Sequence, residues 1–346
     1  MRAVLVHEFG GRPVVAEVPV PAPGAGGVLL AVRSTGLCRS DWHGWRGHDP
    51  GIALPHVPGH ELAGTIAAVG TGVRGWAVGD RVTVPFVCAC GRCEQCRAGN
   101  HQVCPQQEQP GFTYWGSFAE YVAVPYAEAN LVRLPDEIGF DAAAALGCRF
   151  ATAYRGVAQV GAARQGEWLV VFGCGGVGLS VVMIGHALGA RVVAVDPNPA
   201  ARAAATGFGA AHTLSAGPAV PGQLRDLTGG GAHLTVDAIG AAEVVQQAVN
   251  SLRPRGRHVQ LGLLPDAVRL DASALIAREL SWLGSHGLAA HAYPALLELV
   301  LSGNVRPADL VTRVITLDDV PAALAAMDHG SPTGITVIHP VGTSEP

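Results

Sequence analysis

Val170-Val171-Phe172-Gly173-Cys174-Gly175-Gly176-Val177-Gly178 is a short apolar strand that runs into a glycine-rich turn, and Leu179 to Leu188 leaves the turn as an amphipathic helix. A second strand, Arg191-Val192-Val193-Ala194-Val195, ends at Asp196. Glycines in this G-x-G-x-x-G order allow a tight turn and let the backbone approach a pyrophosphate, whose charge lies at the helix N-terminus. Gly173, Gly175, Gly176, Val177 and Gly178 are therefore the candidate pyrophosphate-binding residues. Asp196 falls about twenty residues on, where a carboxylate would accept hydrogen bonds from the adenosine ribose hydroxyls. Pro197 and Asn198 follow it, with no Arg or Lys to hold a 2′-phosphate, which argues for NAD over NADP.

Upstream, Cys90, Cys93, Cys96 and Cys104 stand as C-x-x-C-x-x-C-x7-C. Four thiolates in this order can close a tetrahedron around one zinc. Such a site leaves no coordination position for a substrate, so this zinc is expected to hold a loop together. Cys88, two residues before Cys90, is either a packed thiol or an alternative ligand. A second, open site is also legible. Cys38 begins Cys38-Arg39-Ser40-Asp41-Trp42-His43, His60 lies in Gly59-His60-Glu61, and Cys148 in Leu146-Gly147-Cys148-Arg149. Two thiolates and one neutral imidazole would bind zinc and leave its fourth position for water or an alcohol oxygen. Zn²⁺ with two thiolates is formally neutral, so a developing alkoxide would meet no net negative charge there. The expectation is two zinc ions per chain.

Composition bounds the rest. With 346 residues the chain is long enough for two domains with cores of their own. Hydrophobic residues make up 49% and charged residues 14%, with 46 glycines and 24 prolines, which favours a turn-rich α/β protein over a disordered one. Net charge is −4 with no basic run, so no nucleic-acid partner is expected. The N-terminal MRAVLVHEFGG reads as a strand and turn with an apolar part too short for a signal peptide, and no stretch approaches membrane-helix length. Of eight cysteines, seven have metal-ligand or cofactor-loop positions, which fits reduced thiols in the cytoplasm.

Residues 1 to about 150 begin with Val/Leu/Ala strands broken by Pro and Gly, and 62–69 and 81–87 read as further short strands of a mostly antiparallel, barrel-like domain. From 151 to 285 the pattern alternates strand and helix, as in a Rossmann-type doubly wound parallel sheet. Helix 198–207 and strands around Leu234–Val236 and His258–Leu261 are its clearest later members. Residues 286–346, with a helix over 293–302 and a strand over 334–338, return to the first domain, and 342–346 read as frayed. A hinge at the two crossings would open a cleft between zinc and nicotinamide.

The order C-x-S-D-x-H, G-H-E, four-cysteine lobe, G-C-x-x-x-T (Gly147 to Thr152) and G-x-G-G-V-G resembles the zinc-containing medium-chain alcohol dehydrogenases over essentially the whole chain. The resemblance implies a GroES-like catalytic domain, with the lobe at about 88–104, beside the Rossmann domain. It implies that Cys38, His60 and Cys148 hold the catalytic zinc, that Ser40 takes the hydroxyl proton, and that the proton passes through the cofactor ribose to His43. Asp41 would fix the tautomer of His60 by accepting its other ring N–H, and Glu61 would lie behind the metal and modulate its coordination. Arg39 would contact the pyrophosphate, Thr152 would pack behind the nicotinamide, and Arg202 would lie near the adenosine. One departure is visible: many relatives carry a basic residue in the last strand, but Thr333-Gly334-Ile335-Thr336 offers none.

Phe86 stands where relatives place a pocket-lining aromatic; Phe112, Thr113 and Trp115 are candidates for the same wall, with Trp42 or Trp45 closer to the metal loop. Aromatic walls favour an apolar or aromatic alcohol or aldehyde over a polyol. A formaldehyde-type dehydrogenase is the rival within enzymes, and a metal- or dinucleotide-binding protein on the same fold is the rival outside them. Relatives are homotetramers or homodimers, and a homotetramer is expected for a chain of this length.

Overall fold

The strand Trp168–Phe172 lies in the middle of a six-stranded sheet ordered His212–Leu214, Arg191–Val195, Trp168–Phe172, Ala232–Asp237, Leu252–Gln260, Ser281–Gly284. Every neighbouring pair is parallel. In chain order this is 3-2-1-4-5-6, the doubly wound arrangement whose direction reverses between the first and fourth strands. The computed structural model describes residues 1–265, 267–330 and 332–342, so the end expected to be frayed lies, from 343 onward, outside the described residues. The chain divides into two units, Met1–Ala151 with Gly287–Pro346, and Thr152–His286.

In the second unit the central strands are unbroken apolar runs, with Leu169, Val170, Val171, Val192, Val193 and Ala194 wholly buried, because helices cover both faces of a parallel sheet. The helix leaving the glycine turn spans Gly176–Ala187, and here the structure corrects the sequence reading. Gly178 through Gly185 are all buried, so this helix is apolar nearly all round and sits inside the unit. The strand read at His258–Leu261 runs Leu252–Gln260 instead. Its partner advances only from Ala232 to Leu234 while it advances from Leu252 to Arg257. The turn-like Arg253-Pro254-Arg255-Gly256 is thus absorbed as a bulge.

In the first unit a seven-stranded sheet runs Val311–Thr316, Ile335–His339, Val28–Leu37, Glu61–Val69, Arg81–Val84, Val132–Arg133, with Tyr121–Val124 also paired to Val28–Leu37. All pairs are antiparallel except Val311–Thr316 with Ile335–His339. The strand expected over 81–87 stops at Val84, since Pro85 has no N–H for a ladder. One core packs Val28, Leu30, Val32, Leu62, Ile66, Val82 and Val84; another packs Val4, Leu37, Trp45, Phe118, Leu317 and Ile338. Among the described residues no helix is long and apolar enough to cross a membrane.

Candidate catalytic and metal centres

Cys38 follows the strand Val28–Leu37 and caps the short helix Arg39–Trp45, with extended φ,ψ of −112° and 157°. Asp41, in the first turn of that helix, reaches back so that its Oδ2 accepts the Cys38 N–H at 2.9 Å, a reciprocal cap. Its Oδ1 accepts the Gly59 N–H at 3.1 Å and lies 2.9 Å from His60 Nδ1. One buried carboxylate therefore ties the two segments that carry Cys38 and His60. With Nδ1 engaged as a donor, the His60 lone pair is on Nε2, and that atom is buried with no hydrogen-bond partner. Sulfur of Cys38 and Cys148, a ring nitrogen of His60 and a carboxylate oxygen of Glu61 lie within 4.8 Å of one another. An orphaned imidazole nitrogen beside two thiols is what a zinc ligand set presents, so the residues fit the metal.

Cys148 arrives on a π-helical turn, Leu146–Phe150, a geometry that re-aims side chains and is frequent at functional sites. Its position is fixed from three sides. Phe86 N–H donates to Gly147 O at 3.2 Å, and the buried Tyr293 hydroxyl donates to Leu146 O at 3.1 Å. Arg149 donates to Glu61 Oε1 through its backbone N–H at 3.1 Å and Nε at 2.9 Å, and to Oε2 through Nη2. Burial raises the Glu61 carboxyl above its ordinary range, with Arg149 opposing the shift. Sequence reading missed Arg149, Tyr293 and His48. Arg149 stood next to a ligand cysteine, but its partner is 88 residues away and so was not readable.

The four cysteines of the lobe form a second cluster. Their Sγ separations include 3.4 Å for Cys93–Cys96, 3.6 Å for Cys90–Cys104, 3.8 Å for Cys93–Cys104 and 4.0 Å for Cys90–Cys96. Four sulfurs each ~2.3 Å from one zinc would stand ~3.8 Å apart, so this set fits a closed site. Backbone N–H groups of Cys90, Cys96 and Gln106 donate to its sulfurs. Cys88 belongs to neither cluster: it packs in the core with Val82 and Val84, its Sγ 3.5 Å from the Tyr114 hydroxyl, and burial pushes its thiol up to about 12.

In the second unit Gly173 has φ of +92°, and a Cβ on Gly178 would lie 1.7 Å from Gly173 O, so the helix can pack on the turn only through glycine. A Cβ on Gly175 would meet nothing within 4 Å, so that stretch of backbone faces open space suited to a pyrophosphate. Gly176 and Val177 open the helix. Asp196 accepts the Cys174 N–H at 2.7 Å and the Asn198 N–H at 2.8 Å, tying the end of the second strand to the glycine turn. Arg202 donates to Asp196 O and Pro197 O, beside that carboxylate. Thr152 lies half-buried on the helix Ala151–Tyr154.

Ser40 and His43 are three apart on the helix Arg39–Trp45, hence on one face of it, with Ser40 Oγ 3.8 Å from Cys38 Sγ. His43 Nδ1 lies 2.9 Å from His48 Nδ1, and partial burial with the Arg39 and His48 charges lowers its pKa. Arg39 stacks on Trp42, 3.6 Å from the ring centre, and donates to Met327 O. Of the aromatic candidates, Phe86 and Phe112 meet the His60 ring edge-on at centroid distances of 6.3 and 5.3 Å. Trp115 is 38% exposed with its Nε1 on Pro55 O, Thr113 closes a turn with Gln109, and Trp45 is buried in a core. Among the described residues, neither Trp115 nor Trp45 makes a ring contact with His60.

Two family models match the chain: the alcohol dehydrogenase GroES-like domain over residues 24–136 and zinc-binding dehydrogenase over 176–302. An alcohol dehydrogenase of Rhizobium meliloti (strain 1021) is 36% identical over 289 residues, covering 82% of this chain and 84% of that protein. An NAD-dependent alcohol dehydrogenase of Sulfurisphaera tokodaii is 29% identical over 351 residues, covering 98% and 100%. Among solved structures, the alcohol dehydrogenase of Thermus sp. ATN1 superposes with a TM-score of 0.89 at 30% identity, covering 98% of this chain and 99% of that one.

Proposed function

This chain belongs to the zinc-containing medium-chain alcohol dehydrogenase family, a family of oxidoreductases, and from that premise we propose that it moves a hydride between NAD and a small apolar or aromatic alcohol or its aldehyde. The observation that carries this reading is the buried, unpartnered His60 Nε2 in one cluster with Cys38 and Cys148. Zinc held by these three residues would supply a Lewis acid that brings an alcohol hydroxyl's pKa from about 16 toward 7. The four-cysteine set would hold a second zinc with no open position.

The chain's own groups divide the remaining work. Asp41 keeps the His60 lone pair on Nε2. Ser40, on the helix that Cys38 caps, takes the hydroxyl proton, and His43, depressed in pKa and therefore neutral at pH 7, accepts it at the end of the relay. The Phe86 and Phe112 rings, packed edge-to-face with His60, make this flank of the cluster apolar and suit an apolar substrate. NAD is favoured because the Asp196 carboxylate would repel a 2′-phosphate, while the neighbouring Arg202 already donates to two backbone carbonyls.

The test is NADH formation by zinc-replete protein over a panel of primary, secondary, aromatic and polyol alcohols, each with NAD⁺ and NADP⁺. Turnover of an aromatic or aliphatic primary alcohol with NAD⁺ is expected. A polyol-only or NADP⁺-only enzyme overturns the substrate or cofactor reading.

A further inference from the structure

The open cluster contains one donor too many. A three-residue zinc site keeps a coordination position free, but a Glu61 oxygen also lies within 4.8 Å of the Cys38, His60 and Cys148 donor atoms. Carboxylate oxygen is a good zinc ligand, and a fourth protein ligand would close the site as the four cysteines close theirs. Glu61 is wholly buried and follows His60 directly, so the fold does not carry it away from the cluster. What engages it is Arg149, itself only 7% exposed. Nε and the backbone N–H of Arg149 occupy Oε1, and Nη2 occupies Oε2, a forked contact that uses both carboxylate oxygens.

We propose that Arg149 is a positioning residue that holds the Glu61 carboxylate off the metal and so keeps the fourth coordination position free for substrate. The inference rests on the proposed three-residue zinc site and deepens it. Two features favour it over a structural ion pair. The guanidinium is carried by the same π-helical turn as Cys148, one residue on, so the clamp and a metal ligand move together. The fold also makes room for the pair: Gly36 lies opposite Glu61 in the antiparallel ladder, and a Cβ on it would fall 2.2 Å from Glu61 Oε2 and 2.9 Å from Arg149 Nη2. Charge points the same way. Zn²⁺ with two thiolates is neutral and Arg149 with Glu61 is neutral. Without Arg149 the carboxylate is a buried, unpaired anion whose nearest available cation is the metal.

The experiment uses the full chain with Co²⁺ in place of zinc, following the visible d–d bands while imidazole, a small metal ligand, is titrated. Cobalt on four cysteines has no position for imidazole, so the difference spectrum reports the open site alone. Arg149→Met is expected to weaken imidazole binding about tenfold or more and to slow metal loss to a chelator, with kcat/KM falling by a similar or larger factor. Adding Glu61→Gln to Arg149→Met removes the competing ligand and should bring imidazole affinity back to within a few-fold of the parent. Arg149→Lys keeps the charge but not the fork and should fall between, and it carries the test if Arg149→Met does not fold. Imidazole affinity unchanged in the Arg149 variants, or not recovered in the double variant, overturns the proposal. A parent protein whose cobalt bands ignore imidazole would instead sink the three-residue zinc site itself.

Discussion

His60 Nδ1 lies 2.9 Å from Asp41 Oδ1, with neither side chain more than 1% exposed. Because Asp41 also holds the Cys38 N–H, this one contact sets both the tautomer of His60 and the distance between two candidate zinc ligands. Asp41→Asn keeps the shape but must turn its amide NH2 either toward the Cys38 N–H or toward the Gly59 N–H and His60 Nδ1. Zinc affinity at the open site should fall about 10- to 100-fold, read by chelator competition with metal analysis. An unaltered affinity would place the control of His60 elsewhere.

The two clusters should be separable by metal count. Cys148→Ala should take the protein from two zincs to one and remove nearly all activity. Cys96→Ser should also leave one zinc, but the loss should appear first as a lower Tm, since the lobe sulfurs are tied to backbone N–H groups of their own loop. Full activity in Cys148→Ala would disprove the catalytic assignment.

Asp196 does two jobs, which sharpens its test. It is the residue proposed to bind the ribose hydroxyls, and it also accepts the Cys174 and Asn198 N–H groups. Asp196→Ala should raise KM for NAD⁺ about tenfold or more through both losses, and KM for NADP⁺ should change less because a repulsive charge leaves at the same time. Equal changes for the two cofactors would mean that only loop order was lost.

Gly178→Ala would place a methyl 1.7 Å from Gly173 O. Relief requires the helix to move off the glycine turn, at a cost of about 2–3 kcal/mol or more. A large drop in Tm together with weakened NADH binding by calorimetry is expected, and a silent substitution would show that the turn is not held as described.

Acid should destabilise the second unit through His258. This ring is wholly buried between Thr235 and Gln260, and burial lowers its pKa below the ordinary 6.5. The unfolded chain therefore takes up this proton first as pH falls. The stabilisation is present above pH 6.5 and is lost progressively below it, by at most about 1.4 kcal/mol per pH unit. His258→Gln, which cannot titrate, should flatten the fall of Tm between pH 7 and 5; an unchanged slope would acquit His258.

Some of this molecule was written in short range. Strand, glycine turn, helix and Asp196 follow one another within thirty residues, and the lobe cysteines within fifteen, so spacing alone names the chemistry each can do. The helix after the turn was misread as amphipathic because its apolar content was visible while the cover on its second face was not. The strand Leu252–Gln260 is legible only from His258, because its paired strand, not local preference, holds the bulge at Arg253–Gly256 in the sheet.

By itself, then, the sequence determined which residues could bind metal and dinucleotide, because ligand identity and local spacing are properties of the chain. Only the tertiary structure decided what surrounds them: that Asp41 joins Cys38 to His60, that Arg149 grips a Glu61 lying 88 residues away, and that Phe112 rather than Trp115 meets the His60 ring. The physical reason is that a hydrogen bond or an ion pair depends on a few ångströms of separation, and between distant segments that separation is fixed by sheet register and core packing, which no local pattern records.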